Sequence, residues 1–352
     1  MSNEGPSPLT PSPTDPTPIF EHFRGSYGSE LLTAAVAHFG VFRLLNERPE
    51  TFDVLRDRLG LERRPAIVLM TALRAMGLVG QDAEGRFVLS DLACEHLVAD
   101  SEFFVGDYVG LAATSPGVLG MVERLRSNTP FDVEGSGAAF IYREGIESAM
   151  EREDLARHFT LALAGRAKNV APVLAEKVTV HGNETLLDVG GGTGIYSIAF
   201  LRRHEGMRAL VVDLPHVLTL ARDFAEQYGV SDRIEFVDAD MFTYSPEIEP
   251  DIILLSNILH DWDEPTCKGL LKHYADCLPK TGRLLIHDVF LNDDHDGPLP
   301  VALYSAALFT LTEGRAYSVK EYTNWLEKAC LSVSGREETL IHCGVLDARR
   351  AD

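Results

Sequence analysis

The stretch Asp188-Val189-Gly190-Gly191-Gly192-Thr193-Gly194 lies between the apolar pair Leu186-Leu187 and the apolar run 195–201, and reads as a strand, a tight glycine turn and a helix. Glycines at Gly190, Gly191, Gly192 and Gly194 let a ligand lie directly against the backbone, and the helix start offers unpaired N–H groups. A dinucleotide fingerprint, G-x-G-x-x-G, places its third glycine one residue later and seats a pyrophosphate. Here the spacing is G-x-G-x-G, with the acid Asp188 two residues before the first glycine. That arrangement suits S-adenosylmethionine: a carboxylate beside the turn receives the ammonium of a methionine moiety and repels a pyrophosphate.

The composition narrows the partners. A chain of 352 residues that is 45% hydrophobic can bury a sizeable core and divides into more than one domain. Its net charge of −21 argues against nucleic acid and anionic membranes, which are bound by basic side chains. Five scattered cysteines, Cys94, Cys267, Cys277, Cys330 and Cys343, have neither zinc nor disulfide spacing and fit a reducing cytoplasm. No run approaches the ~18 apolar residues of a membrane span, and no secretion signal is read at the N-terminus. The acidic loop Asp293-Asp294-His295-Asp296 is read as solvated, so no metal is expected.

Along the chain, residues 1–18 form a Pro-rich tail expected to be disordered. Residues 19–100 show helical periodicity from Leu31 to Leu45, two short helices over 52–59 and 65–76, and two short strands around Asp82-Ala83-Glu84-Gly85. Helices followed by a hairpin describe a winged helix. Its recognition segment carries only Arg63, Arg64 and Arg74 as cations, so protein contact is the better reading than DNA binding. Residues 101–176 read as linking helices, 103–126 and 152–176, joined by a loop at Gly135-Ser136-Gly137. In 177–352, strands at 185–189, 209–212, 233–237, 251–255 and 283–289 alternate with helices, the pattern of a doubly wound parallel sheet. One helix runs over 216–228. The next is capped by Asp263, with Pro265 in its first turn.

Ligands of such a sheet lie at the carboxyl ends of its strands. The second strand ends in Asp213-Leu214, about twenty residues past the first glycine, where an acid takes both hydroxyls of a ribose. After the third come Asp240, Met241 and Phe242: an acceptor for the adenine amine and two side chains for the ring faces. Asp240 is preferred over Asp238 because it directly precedes the apolar pair. The fourth end supplies Ser256 and Asn257 for the amino-acid end of the cofactor.

Just past that strand stands His260. Neutral imidazole, with an unperturbed pKa of about 6.5, can take the proton of a phenol of pKa about 10 as it attacks the methyl carbon. A carboxylate that fixes the tautomer strengthens such a base, and Asp288 at the end of the fifth strand is the natural partner. His287 points to the opposite face by the period of two and is structural. Tyr142, Met150, Phe159 and Leu163 from the linking helices, with Trp262, Tyr304, Leu308 and Phe309, are candidates for an apolar substrate pocket suited to a flat acceptor.

The residues 188–194, 212–215, Asp240-Met241-Phe242 and Leu259-His260-Asp261-Trp262 resemble those of the S-adenosylmethionine-dependent small-molecule O-methyltransferases of the caffeate and hydroxyindole type, including bacterial natural-product tailoring enzymes. The resemblance covers almost everything after the tail. It implies a Rossmann-like, mostly parallel seven-stranded sheet with an N-terminal winged-helix-like dimerisation domain, hence a homodimer. It also implies His260 as general base, Asp288 as its first acid, and methylation of a phenolic or enolic hydroxyl on a small aromatic acceptor. The family's second acid lies in a G-[RK]-E-R-T stretch. This chain has Gly314-Arg315-Ala316-Tyr317-Ser318 there, so Ala316 stands in its place, and Ser256 replaces the lysine of plant members. Carbon or nitrogen methylation, a hydroxylase or decarboxylase that only binds the cofactor, and a winged-helix regulator remain as alternatives.

Overall fold

The computed structural model describes residues 9–130 and 153–350, without the side chains of 153–156 and 159. The Gly135-Ser136-Gly137 loop, Tyr142 and Met150 fall outside the described residues. The chain forms two compact units: Met1–Pro18 with Glu147–Phe290 and Lys320–Asp352, and Ile19–Ile146 with Leu291–Val319. The segmentation is therefore not linear. Residues 291–319 return to the helical unit, and the helix Glu153–Lys177 belongs with the sheet.

The helical unit carries a hairpin of β1 (Val79–Gln81) and β2 (Phe87–Leu89), paired antiparallel. Asp82 organises the turn between them, its Oδ1 accepting from the N–H groups of Glu84 and Arg86. The helical run expected from Leu31 to Leu45 is broken at Gly40, whose φ of +61° ends a π-helical turn and starts the helix Val41–Glu47. The segment 103–126, expected to be largely helical, forms two helices, Gly106–Gly110 and Pro116–Ser127. Leu31, Phe42, Leu55, Leu69, Leu73, Met121 and Phe309 share one buried core. The helix Leu299–Leu311 is apolar on every side and packs against the helix Arg63–Ala75. Cations of the would-be recognition segment are engaged internally: Arg64 donates to Asn128 Oδ1 and the carbonyls of Thr312 and Gly314, and Arg74 to the carbonyl of Asp294.

The other unit holds the sheet. Strands β3 (Thr185–Val189), β4 (Arg208–Asp213), β5 (Ile234–Asp238), β6 (Ile252–Ser256) and β7 (Arg283–Leu291) form where short Val-, Ile- and Leu-rich runs are covered on both faces. The two-residue strand β8 (Tyr317–Ser318) falls within residues 291–319 of the helical unit, and the final strands of the sheet are β9 (Leu331–Glu338) and β10 (Cys343–Arg350). Seven strands follow the order β5-β4-β3-β6-β7-β10-β9. The first five are parallel, and β10 runs antiparallel to both neighbours. Period and composition alone do not reveal β9. Its residues after Val333 are exposed and polar, as an edge strand allows.

The chain steps from β3 outward to β4 and β5, then returns to the other flank of β3 with β6 and β7. The crevice between the ends of β3 and β6 is thus the topological switch point. The glycine turn occupies it. Gly190 and Gly191 both donate to the Val212 carbonyl, at 2.8 and 3.3 Å, which folds the turn back onto the end of β4. A Cβ on Gly191 would stand 2.7 Å from Val211 Cγ1 and 2.8 Å from Asp188 Cγ. Gly191→Ala is therefore expected to lower stability by about 1–3 kcal/mol through overpacking, read as a reduced urea midpoint at unchanged slope.

Candidate active site

The site is built from the carboxyl ends of β3, β4, β6 and β7 and the segments that leave them. Asp188 is the fourth residue of β3, 1% exposed. Its Oδ2 accepts from Ser197 Oγ at 2.7 Å, while Oδ1 is buried with no hydrogen-bond partner among the described residues. Burial pushes this carboxyl up to about 7, and the nearby Asp213 adds to the rise. A buried acceptor that lacks a donor is suited to a cationic one. Asp213, at the end of β4, is oriented by two backbone donors: Gly192 N–H to Oδ2 at 2.8 Å and Leu214 N–H to Oδ1 at 2.7 Å. Its burial also raises its carboxyl above the ordinary range.

Gly190 marks the floor of the crevice. A Cβ there would lie 2.6 Å from Ile258 Cδ1 and 3.4 Å from Met241 Sδ, so the turn, the post-β6 segment and the post-β5 segment converge on this residue. Asp240 itself is exposed, and its Oδ1 accepts from Phe242 N–H at 3.0 Å, which fixes the bend that presents Met241 and Phe242. Phe242 meets Trp262 edge to face at 4.8 Å. These groups fit an adenosine with a cationic tail: a carboxylate with an unpaired oxygen, a second acid for a diol, and partly buried side chains for a ring.

Asn257 follows β6 with φ +57°, a left-handed conformation, and donates its N–H to the His287 carbonyl. Its side chain accepts from Arg166 Nη1 at 2.9 Å and donates to Tyr196 Oη and Ser256 Oγ. The Ser256 hydroxyl is further bonded to His287 Nδ1 at 2.9 Å, and His287 Nε2 to Thr339 Oγ1 at 3.2 Å. His287 is thus engaged by hydroxyls on both nitrogens. Burial, reinforced by the charge of Arg166, holds its pKa down to about 3, so it stays neutral, in line with a structural role.

His260 sits in a single 3-10 turn, Leu259–Asp261, and is 4% exposed. Two features of the following helix, Glu264–Cys277, anchor this turn. Asp263 caps the helix by accepting from Thr266 N–H, and Cys267 Sγ donates to the Leu259 carbonyl at 3.0 Å. Asp288, 1% exposed on β7, accepts from His260 Nδ1 at 2.5 Å. The carboxylate makes Nδ1 the protonated nitrogen and leaves Nε2 as the basic one. Burial alone would depress the imidazole pKa. The Asp288 and Asp261 carboxylates outweigh it, and the net shift is upward.

Asp261, Arg166 and Tyr322 escape a reading of the sequence alone. Asp261 Oδ1 lies 3.6 Å from His260 Nε2, and burial pushes its carboxyl up to about 7. Its position beside His260 is a usable signal. Arg166 stands in an apolar helical run, and its charge is felt at both His260 and His287. Tyr322 Oη donates to Asp288 Oδ2 at 3.2 Å across 34 residues of sequence, which no local pattern announces.

The expected pocket residues divide. Trp262 is buried beside Phe242, and Leu163 is exposed on the helix Glu153–Lys177. Phe159 is on the same helix. Tyr304, Leu308 and Phe309 belong to the helical unit. There Phe309 is fully buried core and the Tyr304 ring lies 3.6 Å beneath the Arg24 guanidinium, because the all-apolar helix that carries them is packed on several sides.

Comparison with known proteins identifies the family. Residues 129–332 match the family described as the O-methyltransferase domain. The chain is 35% identical over 321 residues to the 3-hydroxy-5-methyl-1-naphthoate 3-O-methyltransferase of Streptomyces sahachiroi, covering 91% of this chain and 90% of that protein. It is similar to the crystal structure of an O-methyltransferase family 2 protein from Planctomyces limnophilus in complex with apigenin. The TM-score is 0.88 at 45% identity, with 97% and 98% of the two chains covered. The fold of human N-acetylserotonin methyltransferase, solved in complex with S-adenosylmethionine, is shared at TM-score 0.60 and 21% identity over 95% of this chain and 97% of that one. With the family model spanning more than half of the chain and a relative 35% identical over nine-tenths of it, the chain belongs to the S-adenosylmethionine-dependent small-molecule O-methyltransferases.

Proposed function

We propose that this protein methylates a phenolic or enolic hydroxyl of a small aromatic acceptor, with His260 as general base oriented by Asp288. The observation that carries the reading is the buried His260–Asp288 hydrogen bond beside the switch-point crevice. When bound, S-adenosylmethionine supplies a sulfonium-activated methyl carbon open to in-line displacement. Asp188 holds the ammonium through its unpaired Oδ1, Asp213 the ribose hydroxyls, and Asp240 with Met241 and Phe242 the adenine. Asn257 and Ser256 border the amino-acid end. His260 Nε2 takes the acceptor's proton as the oxygen attacks, and Asp288 stabilises the imidazolium that results. Most of the acceleration comes from alignment. Two relatives carry acceptors in their names or complexes, a hydroxynaphthoate and apigenin, and both are flat and hydroxylated.

With apigenin and hydroxynaphthoates as acceptors, His260→Ala is expected to lower kcat by about 10²–10⁴-fold while S-adenosylhomocysteine binding, measured by calorimetry, is retained. Retention of most activity would favour a carbon or nitrogen acceptor. Acceptor consumption without S-adenosylhomocysteine in the chromatogram would point to the non-methylating chemistry. Because protonated His260 is inactive and its pKa is raised, the acid limb of kcat/KM is expected above pH 6.5.

Asp188 yields a separate expectation. Its proton, held up to about pH 7, must leave before an ammonium can be received. The affinity for S-adenosylhomocysteine should therefore weaken as pH falls below about 7, and Asp188→Asn should bind weakly without this pH dependence. Titrations between acidic and neutral pH check both.

A homodimer is also inferred, supported by the exposed apolar side chains Phe103, Tyr108, Leu111 and Leu119 on the helical unit. Light scattering at micromolar concentration should give twice the chain mass, and a monomer there would overturn it.

A further inference from the structure

The resemblance expects two acids around the base, and this chain has alanine at the second position, Ala316. Asp288 nevertheless has a further partner in its own unit. Its Oδ1 accepts from His260 Nδ1 at 2.5 Å and from the Val289 N–H at 2.7 Å, and its Oδ2 from Tyr322 Oη at 3.2 Å. Tyr322 is fully buried on the helix Val319–Lys328. Its ring is clamped edge to face by Phe290 at 5.7 Å and by Trp325 at 5.4 Å, so the hydroxyl has little freedom to turn elsewhere. We infer that Tyr322 is a positioning residue for methyl transfer: its phenol pins the outer oxygen of Asp288 and so sets the orientation and basicity of His260, a neutral donor in a chain that lacks the additional acid.

The physical argument turns on how one carboxylate divides its charge. A donor on Oδ2 draws charge away from the oxygen that faces His260 and moderates its hold on the imidazolium. It also prevents rotation of the carboxylate about its Cβ–Cγ bond, which would break the Nδ1 contact. A second acid would add negative charge and push the base further towards its protonated, inactive form. A phenol fixes the geometry without that charge. Among the described residues, charged and titratable groups that act on His260 include Asp288 and His287 on β7, Asp261 on its own turn and Arg166 on the helix Glu153–Lys177. Tyr322 acts on this set through Asp288.

The inference rests on His260 as the base, yet its test needs no acceptor. The full-length protein, saturated with S-adenosylhomocysteine, is titrated while the His260 imidazole is followed by NMR. Tyr322→Phe is expected to raise the His260 midpoint by roughly half a unit and to move the Nδ1 proton resonance. With apigenin or a hydroxynaphthoate, kcat should fall about ten-fold at unchanged KM. Phe290→Leu, which loosens the ring but keeps the hydroxyl, should lower the melting temperature and shift the midpoint by less than Tyr322→Phe does. Replacing Tyr322 by 3-fluorotyrosine, a stronger donor of the same shape, should shift the midpoint down, and it provides the test if Tyr322→Phe does not fold. Unchanged midpoints in Tyr322→Phe and the fluorotyrosine protein, or equal shifts in Tyr322→Phe and Phe290→Leu, would overturn the role. A normal titration pattern in a protein that methylates no hydroxyl would count against the proposed reaction instead.

Discussion

Everything chemical in this molecule depends on the parallel pairing of β3 with β6. The register Val189 opposite Leu255 ends both strands at one level, and from there the backbones diverge, one into the glycine turn, the other into Ser256 and Asn257. A ligand can enter only where two neighbouring strands part in opposite directions. The same pairing, extended through β7 by Ser256 opposite His287, brings Asp288 to the level of His260. The proposed donor site and the proposed base are therefore consequences of one sheet register, and a one-residue slip would turn Asp188 and Asp288 to the wrong faces.

Around that register the site separates two kinds of polar group. His287, Ser256, Thr339, Asn257, Tyr196 and Arg166 are linked to one another by hydrogen bonds, a network apt for holding shape. Asp188, Asp213 and His260, on the crevice side, retain capacity for a ligand or a proton. Linked networks of this kind rigidify, while a buried acceptor without a donor, such as Asp188 Oδ1, is open to a partner. Rigidity in the first set is what makes sub-ångström placement of the second credible.

Much of this is legible in the sequence, for identifiable reasons. Strands β3 to β7 are short apolar runs with turn residues on either side, and their ends carry the acids, so period and position locate Asp188, Asp213, His260 and Asp288. Asp263 and Pro265 announce their helix by local capping chemistry. What stays hidden depends on long-range contact. The edge strand β9 is too polar to stand out, and Tyr322 reaches Asp288 only after the chain has left the sheet and returned. Phe309 reads as pocket lining because apolar residues on an all-apolar helix give no direction, and packing makes it core.

The unpaired oxygen of Asp188 has a consequence for the life of the protein apart from its chemistry. A carboxyl whose pKa rises on folding binds its proton more tightly in the folded chain. The ligand-free fold therefore loses stability as pH rises from the ordinary carboxylate range towards about 7. The ligand-free protein carries that cost near neutral pH, and an ammonium bound at Asp188, as proposed, would offset it while adding its own binding energy to the folded state. With Asp188 as the proposed ammonium acceptor, ligand occupancy and folding stability meet at one carboxyl.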